Sequence, residues 1–240
     1  MNQRFVALIA LVGLLSGTAC LDLPERAHNG VAPGAEAITV RAADDRPLDA
    51  RLWVRDHRRL VIYLHEYQRT QRDWWPEAEV GAASDPSAMT IDLRGHGDSG
   101  GDHQDFGLMA DDVSRVIATA RARGYERIAL VGAGMGATVA VLVAEDAPDV
   151  TVIGLSIAAD FSDLDALNAS PVVSDRLAIV AAKDDLSARE SLEQISKTAR
   201  LDPARALLLP GRAHGVALLR GDTEVPTRRL MRAALDRAWR

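Results

Sequence analysis

Residues 128–137 read Ile-Ala-Leu-Val-Gly-Ala-Gly-Met-Gly-Ala, and a run of small residues continues to Ala147 before Pro148. The apolar opening predicts a strand buried on both faces, and the alternating glycines predict a tight turn. Gly136 to Ala147 predicts a small-residue helix that packs closely on a sheet. Working outward, the same punctuation recurs. Ile38–Val40 and Leu52–Val54 read as a hairpin around Asp44-Asp45-Arg46-Pro47. Leu60–Leu64, Ala88–Leu93, Val150–Ile157, Leu177–Val180 and Ala206–Leu209 read as further strands. Phe106, Met109, Val113, Val116, Ile117 and Ala120 stripe one helix, which Gly124 stops. Leu192–Ala199 predicts a short helix, and Leu230, Met231, Ala234, Leu235 and Trp239 stripe a last one. Parallel strands need crossovers, so this order predicts an α/β fold: a mostly parallel central sheet of about eight strands with helices on both faces. Ligands of such sheets bind at the carboxyl ends of the strands.

Composition excludes several classes. The 240 residues carry Lys+Arg 28 against Asp+Glu 34, a net charge of −6, which argues against a broad nucleic-acid surface. All the basic residues but Lys183 and Lys197 are arginine, a compositional bias and not a basic site. The 48% apolar and 26% charged content is globular. One cysteine, Cys20, excludes an intrachain disulfide framework and a cysteine-based zinc cluster. No histidines recur at ligand spacing, so no metal and no cofactor are expected. Nothing here fixes an oligomeric state.

The N-terminus reads as an address. Arg4 precedes an apolar run from Phe5 to Leu15 and then small residues to Ala19, a signal peptide over 1–19, too short to span a bilayer comfortably. Cys20 stands where cleavage would expose it. This resembles the lipobox of bacterial lipoproteins, although Gly17 stands where leucine is usual. The resemblance implies lipidation at Cys20, a tether over 20–36 with Pro24, Asn29-Gly30 and Pro33-Gly34, and a cell-envelope location. An ordinary secretory signal is the alternative. The domain is then 37–240.

The residues that follow the strands are His65-Glu66-Tyr67, Arg94-Gly95-His96-Gly97-Asp98-Ser99, Gly132 to Ala137, Lys183-Asp184-Asp185-Leu186, and Gly211-Arg212-Ala213-His214-Gly215. On these, and above all on Asp92–Ser99 (DLRGHGDS), the chain from Ala37 onward resembles the α/β-hydrolase fold family, esterase- and lipase-like. The resemblance implies His214 as catalytic histidine and Asp185, preceding Leu186, as its carboxylate in preference to Asp184. It implies the amides of Tyr67 and Met135 as the oxyanion hole. Glu66 where the family often has glycine resembles dienelactone-hydrolase-like members, and Arg72-Asp73-Trp74 resembles small bacterial lipoprotein members. The stretch between Ile157 and Leu177 leaves room for no sizeable lid; Asp160–Leu164 is expected to form only a short helix.

The departure is at the elbow. The family pattern Gly-x-Ser-x-Gly becomes Gly132-Ala133-Gly134-Met135-Gly136, so the nucleophile position holds Gly134. The flanking Gly132 and Gly136 and the easy conformation of Gly134 imply that the turn survives without its hydroxyl. In a serine protease, loss of the serine alone costs about a millionfold in rate, or about 8 kcal/mol. The expectation is a membrane-tethered hydrolase-fold protein that is catalytically impaired, with a small ester, lactone or acyl ligand. Alternatives are a non-catalytic partner-binding lipoprotein, a weak hydrolase using water activated by His214, a surrogate hydroxyl from Ser99 or Ser156, or a nucleophile brought by the substrate. His65 and His96 are expected to be hydrogen-bonded loop scaffolding, Trp74 and Trp75 packing, and His28, His57 and His103 solvated.

Overall fold

A computed structural model of the protein describes residues 30–80 and 85–240; the expected signal peptide and Cys20 lie outside them. The strands in chain order are β1 (Glu36–Arg41), β2 (Pro47–Trp53), β3 (Arg59–Leu64), β4 (Ser87–Ile91) and β5 (Arg127–Ala133). There follow β6 (Thr151–Leu155), β7 (Asp160–Phe161), β8 (Leu164–Asp165), β9 (Leu177–Ala182) and β10 (Ala206–Leu209). The helices are α1 (Trp75–Glu79), α2 (Met109–Ala122), α3 (Met135–Glu145), α4 (Ala166–Ala169), α5 (Leu186–Thr198) and α6 (Glu224–Ala238).

Eight strands form one sheet in the order β1-β2-β4-β3-β5-β6-β9-β10. β1 and β2, and β2 and β4, pair antiparallel; every other pairing in that sheet is parallel. Successive side chains of a strand point to opposite faces, so the apolar runs feed two cores. Leu60, Ile62 and Leu64 join α2 and α3 in one core, while Val61 and Tyr63 join Trp74, Ala78 and the apolar side of α6 in the other. No helix among the described residues is long and apolar enough to cross a membrane.

Several boundaries differ from the sequence reading. β4 stops at Ile91, and the Asp92 carboxylate and carbonyl serve the next loop: Oδ2 accepts from Asp98 N at 2.9 Å, and O accepts from Ser99 Oγ at 2.7 Å. β6 ends at Leu155, since Ser156 takes φ +49, outside strand geometry. Asp160–Leu164 forms no helix: a left-handed Ser162 closes the β7–β8 ribbon, with Leu164 buried, and one turn of α4 follows. α5 starts six residues earlier than its apolar stripe, through the polar stretch from Leu186 to Ser191. Ala32 is buried and Pro33 O accepts from Trp53 Nε1, so the last residues of the expected tether lie on the domain.

Two buried groups hold the loops that carry the site. Arg94, 2% exposed, makes paired bonds to Asp112 on α2 (2.7 and 2.8 Å) and to Asp44 in the β1–β2 turn (2.7 and 3.2 Å). His65, at the end of β3, accepts from Leu93 N through Nε2 at 2.9 Å, so its proton sits on Nδ1 and is donated to Glu66 O at 2.7 Å. Burial, aided by the neighbouring His96, pushes the His65 imidazole down to about 3.

Two outcomes follow from these contacts. Asp112→Asn leaves one side of a buried guanidinium uncompensated and should cost about 3 kcal/mol in urea unfolding; a loss under about 1 kcal/mol would contradict the strut. Between pH 6.5 and about 3 the unfolded His65 binds a proton that the folded one refuses. Stability therefore falls as pH falls through that window, by up to about 1.4 kcal/mol per unit from this group. His65→Gln should flatten that acid slope while lowering stability at pH 7, and an unchanged slope would contradict the assignment.

Candidate active site

β5 runs into α3 through one residue, Gly134, at φ +50 and ψ −122, conformations that an L side chain rarely adopts. Gly134 N donates to Leu155 O at 3.0 Å, and Gly134 O accepts from Ala137 N at 3.0 Å. The turn lies hard against β3: a Cβ on Gly136 would stand 2.5 Å from Leu64 O and 2.6 Å from His65 O, and one on Gly132 would strike the Gly136 backbone. Glycines at 132 and 136 thus let the strand-to-helix turn come this close. Met135 opens α3, so its amide is one of the first-turn N–H groups without a helical partner, at the positive end of the helix dipole. The Tyr67 amide belongs to the loop that the close approach brings beside the elbow: a Cβ on Gly134 would lie 3.3 Å from Glu66 Cγ.

The same Cβ would lie 3.6 Å from His214 Nε2. On its other nitrogen, His214 Nδ1 meets Asp185 Oδ2 at 2.6 Å. Asp185 is the N-cap residue of α5 but makes no capping bond; its carboxylate serves the histidine instead. Asp184 is exposed, and its amide donates to Gly211 O, so of the two acids Asp185 is the one that meets the ring. A carboxylate there fixes the imidazole with Nδ1 protonated and Nε2 free to accept a proton. His214, Asp185, Gly134, Met135 and the Glu66–Tyr67 loop are therefore brought together at the carboxyl end of the sheet.

The hydroxyls weighed as surrogates are otherwise engaged. Ser156 is buried, and its Oγ accepts from Gly215 N at 3.0 Å, bracing the histidine loop. Ser99 Oγ donates to Asp92 O at 2.7 Å and accepts from Asp49 N at 2.8 Å. His96 is buried beside His65, with Nδ1 donating to Arg94 O at 2.8 Å. His65 and His96 are thus both hydrogen-bonded to loop backbone. The sequence reading missed the approach of Asp49, Asp92 and Asp98 to within 4.8 Å of one another. Arg51 and Gln71 donate to Asp49, while Gln71 and the Asp98 amide donate to Asp92. That arrangement ties the 92–99 loop to β2.

The sequence reading names Glu66 as part of the loop that supports the site, but not its contacts. Glu66 Oε1 accepts from Val216 N at 3.0 Å, and Oε2 stands 3.8 Å from His214 Nε2. No spacing signals a contact across 150 residues. Above the site, Tyr67, Phe106 and Phe161 pack as a partly exposed aromatic wall, with ring centroids 5.3–5.7 Å apart. Only the β7–β8 ribbon and α4 occupy the place where a lid would insert. A separate cavity of about 630 Å³ lies on the far face between α1 and α6, floored by Tyr63, Met231 and Trp239, away from this chemistry.

Comparison with known proteins agrees with this geometry. The model of the serine aminopeptidase S33 family matches residues 56–183, more than half of the chain, including the 92–99 loop and the elbow. No curated protein matches the sequence. Among solved structures, the Pyrococcus furiosus esterase Pf2001 superposes with TM-score 0.69 at 17% identity, over 89% of this chain and 98% of its own. The α/β hydrolase GrgF from Penicillium sp. sh18 gives 0.71 at 14% identity, over 85% and 98%. The thioesterase domain from the curacin biosynthetic pathway gives 0.61 at 14%, over 82% and 99%. At such identities these structures speak for the fold, and with the family match they show that this chain belongs to the serine aminopeptidase S33 family of the α/β-hydrolase fold.

Proposed function

We propose that this protein is a lipid-tethered member of its family that binds a small ester, lactone or acyl ligand and forms no acyl-serine. One observation carries the reading: the elbow tip is Gly134, while the histidine, its carboxylate and the elbow backbone are all retained around it. Acyl transfer through serine requires an oxygen at that tip, positioned against Nε2. The retained parts do not offset its loss, which in a serine protease costs about 8 kcal/mol. Family membership and the aromatic wall beside Tyr67 support a small acyl or aryl ligand in an open site. The segment over 1–36, with Cys20 as the lipidated residue, supports the envelope location.

Gly134→Ser tests the reading. Its Cβ requires Glu66 to give way by a few tenths of an ångström, and the positive φ costs about 1–2 kcal/mol. The variant should hydrolyse p-nitrophenyl acetate about 10–100-fold faster than the parent and take up a fluorophosphonate probe, both abolished by His214→Ala. An inert variant would favour a partner-binding scaffold instead, and stoichiometric labelling of the parent at any serine would refute the reading. For the tether, Cys20→Ala should move the protein from the membrane to the soluble fraction and end incorporation of labelled palmitate. Unchanged fractionation would contradict lipidation.

A further inference from the structure

The placement of Glu66 is specific, and an acyl-serine scheme has no use for it. Its side chain is one-fifth exposed. Val216 N holds Oε1, and a Cβ on Gly215, itself at φ +53, would collide with that oxygen. The carboxylate takes this seat because residue 215 is glycine. From the seat, Oε2 faces His214 Nε2 across 3.8 Å, and a Cβ on residue 134 would lie 3.3 Å from Glu66 Cγ and 3.6 Å from His214 Nε2. Two acceptors 3.8 Å apart leave room for a single bridging oxygen about 2.8 Å from each, within hydrogen-bond reach of both.

We propose that this oxygen is a water molecule, and that Glu66 is a further catalytic residue that orients it as the nucleophile for direct hydrolysis of reactive esters. The inference rests on the reading that no acyl-serine forms. Glu66 Oε2 accepts one hydrogen bond from the water, and His214 Nε2 accepts the other. As the water oxygen bonds to the acyl carbon, its proton passes to Nε2, and Asp185 stabilises the imidazolium. The carbonyl electron pair moves onto oxygen, where the Met135 and Tyr67 amides receive it. Collapse of that oxyanion breaks the bond to the leaving group, which takes the proton from Nε2. The products are the free acid and alcohol, with no covalent intermediate.

The same carboxylate sets the substrate class. A negative charge this close to a developing oxyanion raises its energy. Turnover is therefore confined to acyl groups with stabilised leaving groups, such as aryl esters; alkyl esters and amides are left untouched. The aromatic wall beside Tyr67 suits a flat leaving group.

The test compares p-nitrophenyl acetate hydrolysis by the parent, E66Q, G134S and the double variant. The parent should turn over slowly above the buffer rate, without a burst and without fluorophosphonate labelling. E66Q should lower kcat about 100-fold with KM little changed. In the G134S background, where the serine hydroxyl replaces the water, E66Q should cost less than about tenfold and leave probe labelling intact. A parent rate equal to buffer overturns the proposal while leaving the proposed function standing. So does an equal loss from E66Q in both backgrounds, the mark of a merely structural carboxylate or of a variant that fails to fold. A burst or a labelled serine in the parent overturns both.

Discussion

The approach of the β5–α3 turn to β3 is the constraint on which the rest of this molecule depends. Backbone meets backbone there with no side chain between, Gly136 against the carbonyls of Leu64 and His65. That contact points the first amides of α3 into the space at the carboxyl end of the sheet and sets the loop after β3 beside it. Everything else in the site is arranged relative to this fixed point. The Asp185 carboxylate comes from the loop before α5, and His214 from the loop after β10. Ser156, in a left-handed conformation just past β6, braces the histidine loop from below. A packed two-sided sheet is stiff enough to hold four separate loops in register.

Much of this architecture is legible in the sequence for simple reasons. A strand covered on both faces must be apolar throughout, so LVIYL and LAIV announce themselves. Tight turns demand glycine at defined places, so the 132–136 stretch and the loop after β4 are also visible. His214 and Asp185 are readable through the resemblance to the α/β-hydrolase fold, which implies those roles for residues in the loops after the last two strands.

Several of the unread parts depend on contacts far apart in the chain. Glu66 is seated by Val216, and Arg94 joins Asp44 to Asp112. Ser156 reads as the end of a strand, and only its φ of +49 and its bond to Gly215 reveal a strut. The polar first turns of α5 carry no stripe, because that end of the helix is largely solvated. The β7–β8 ribbon is too short for any periodicity to register.

A site that keeps a paired histidine and a donor-rich turn, yet presents a carboxylate and a bare Cα where a hydroxyl belongs, is built to hold an electrophile without capturing it. The direct measurement is intact-protein mass spectrometry on the natural chain, quenched in acid within seconds of mixing with excess p-nitrophenyl acetate. The account predicts an unshifted mass at every time point. A transient species heavier by one acetyl group, lost with the kinetics of turnover, would contradict it.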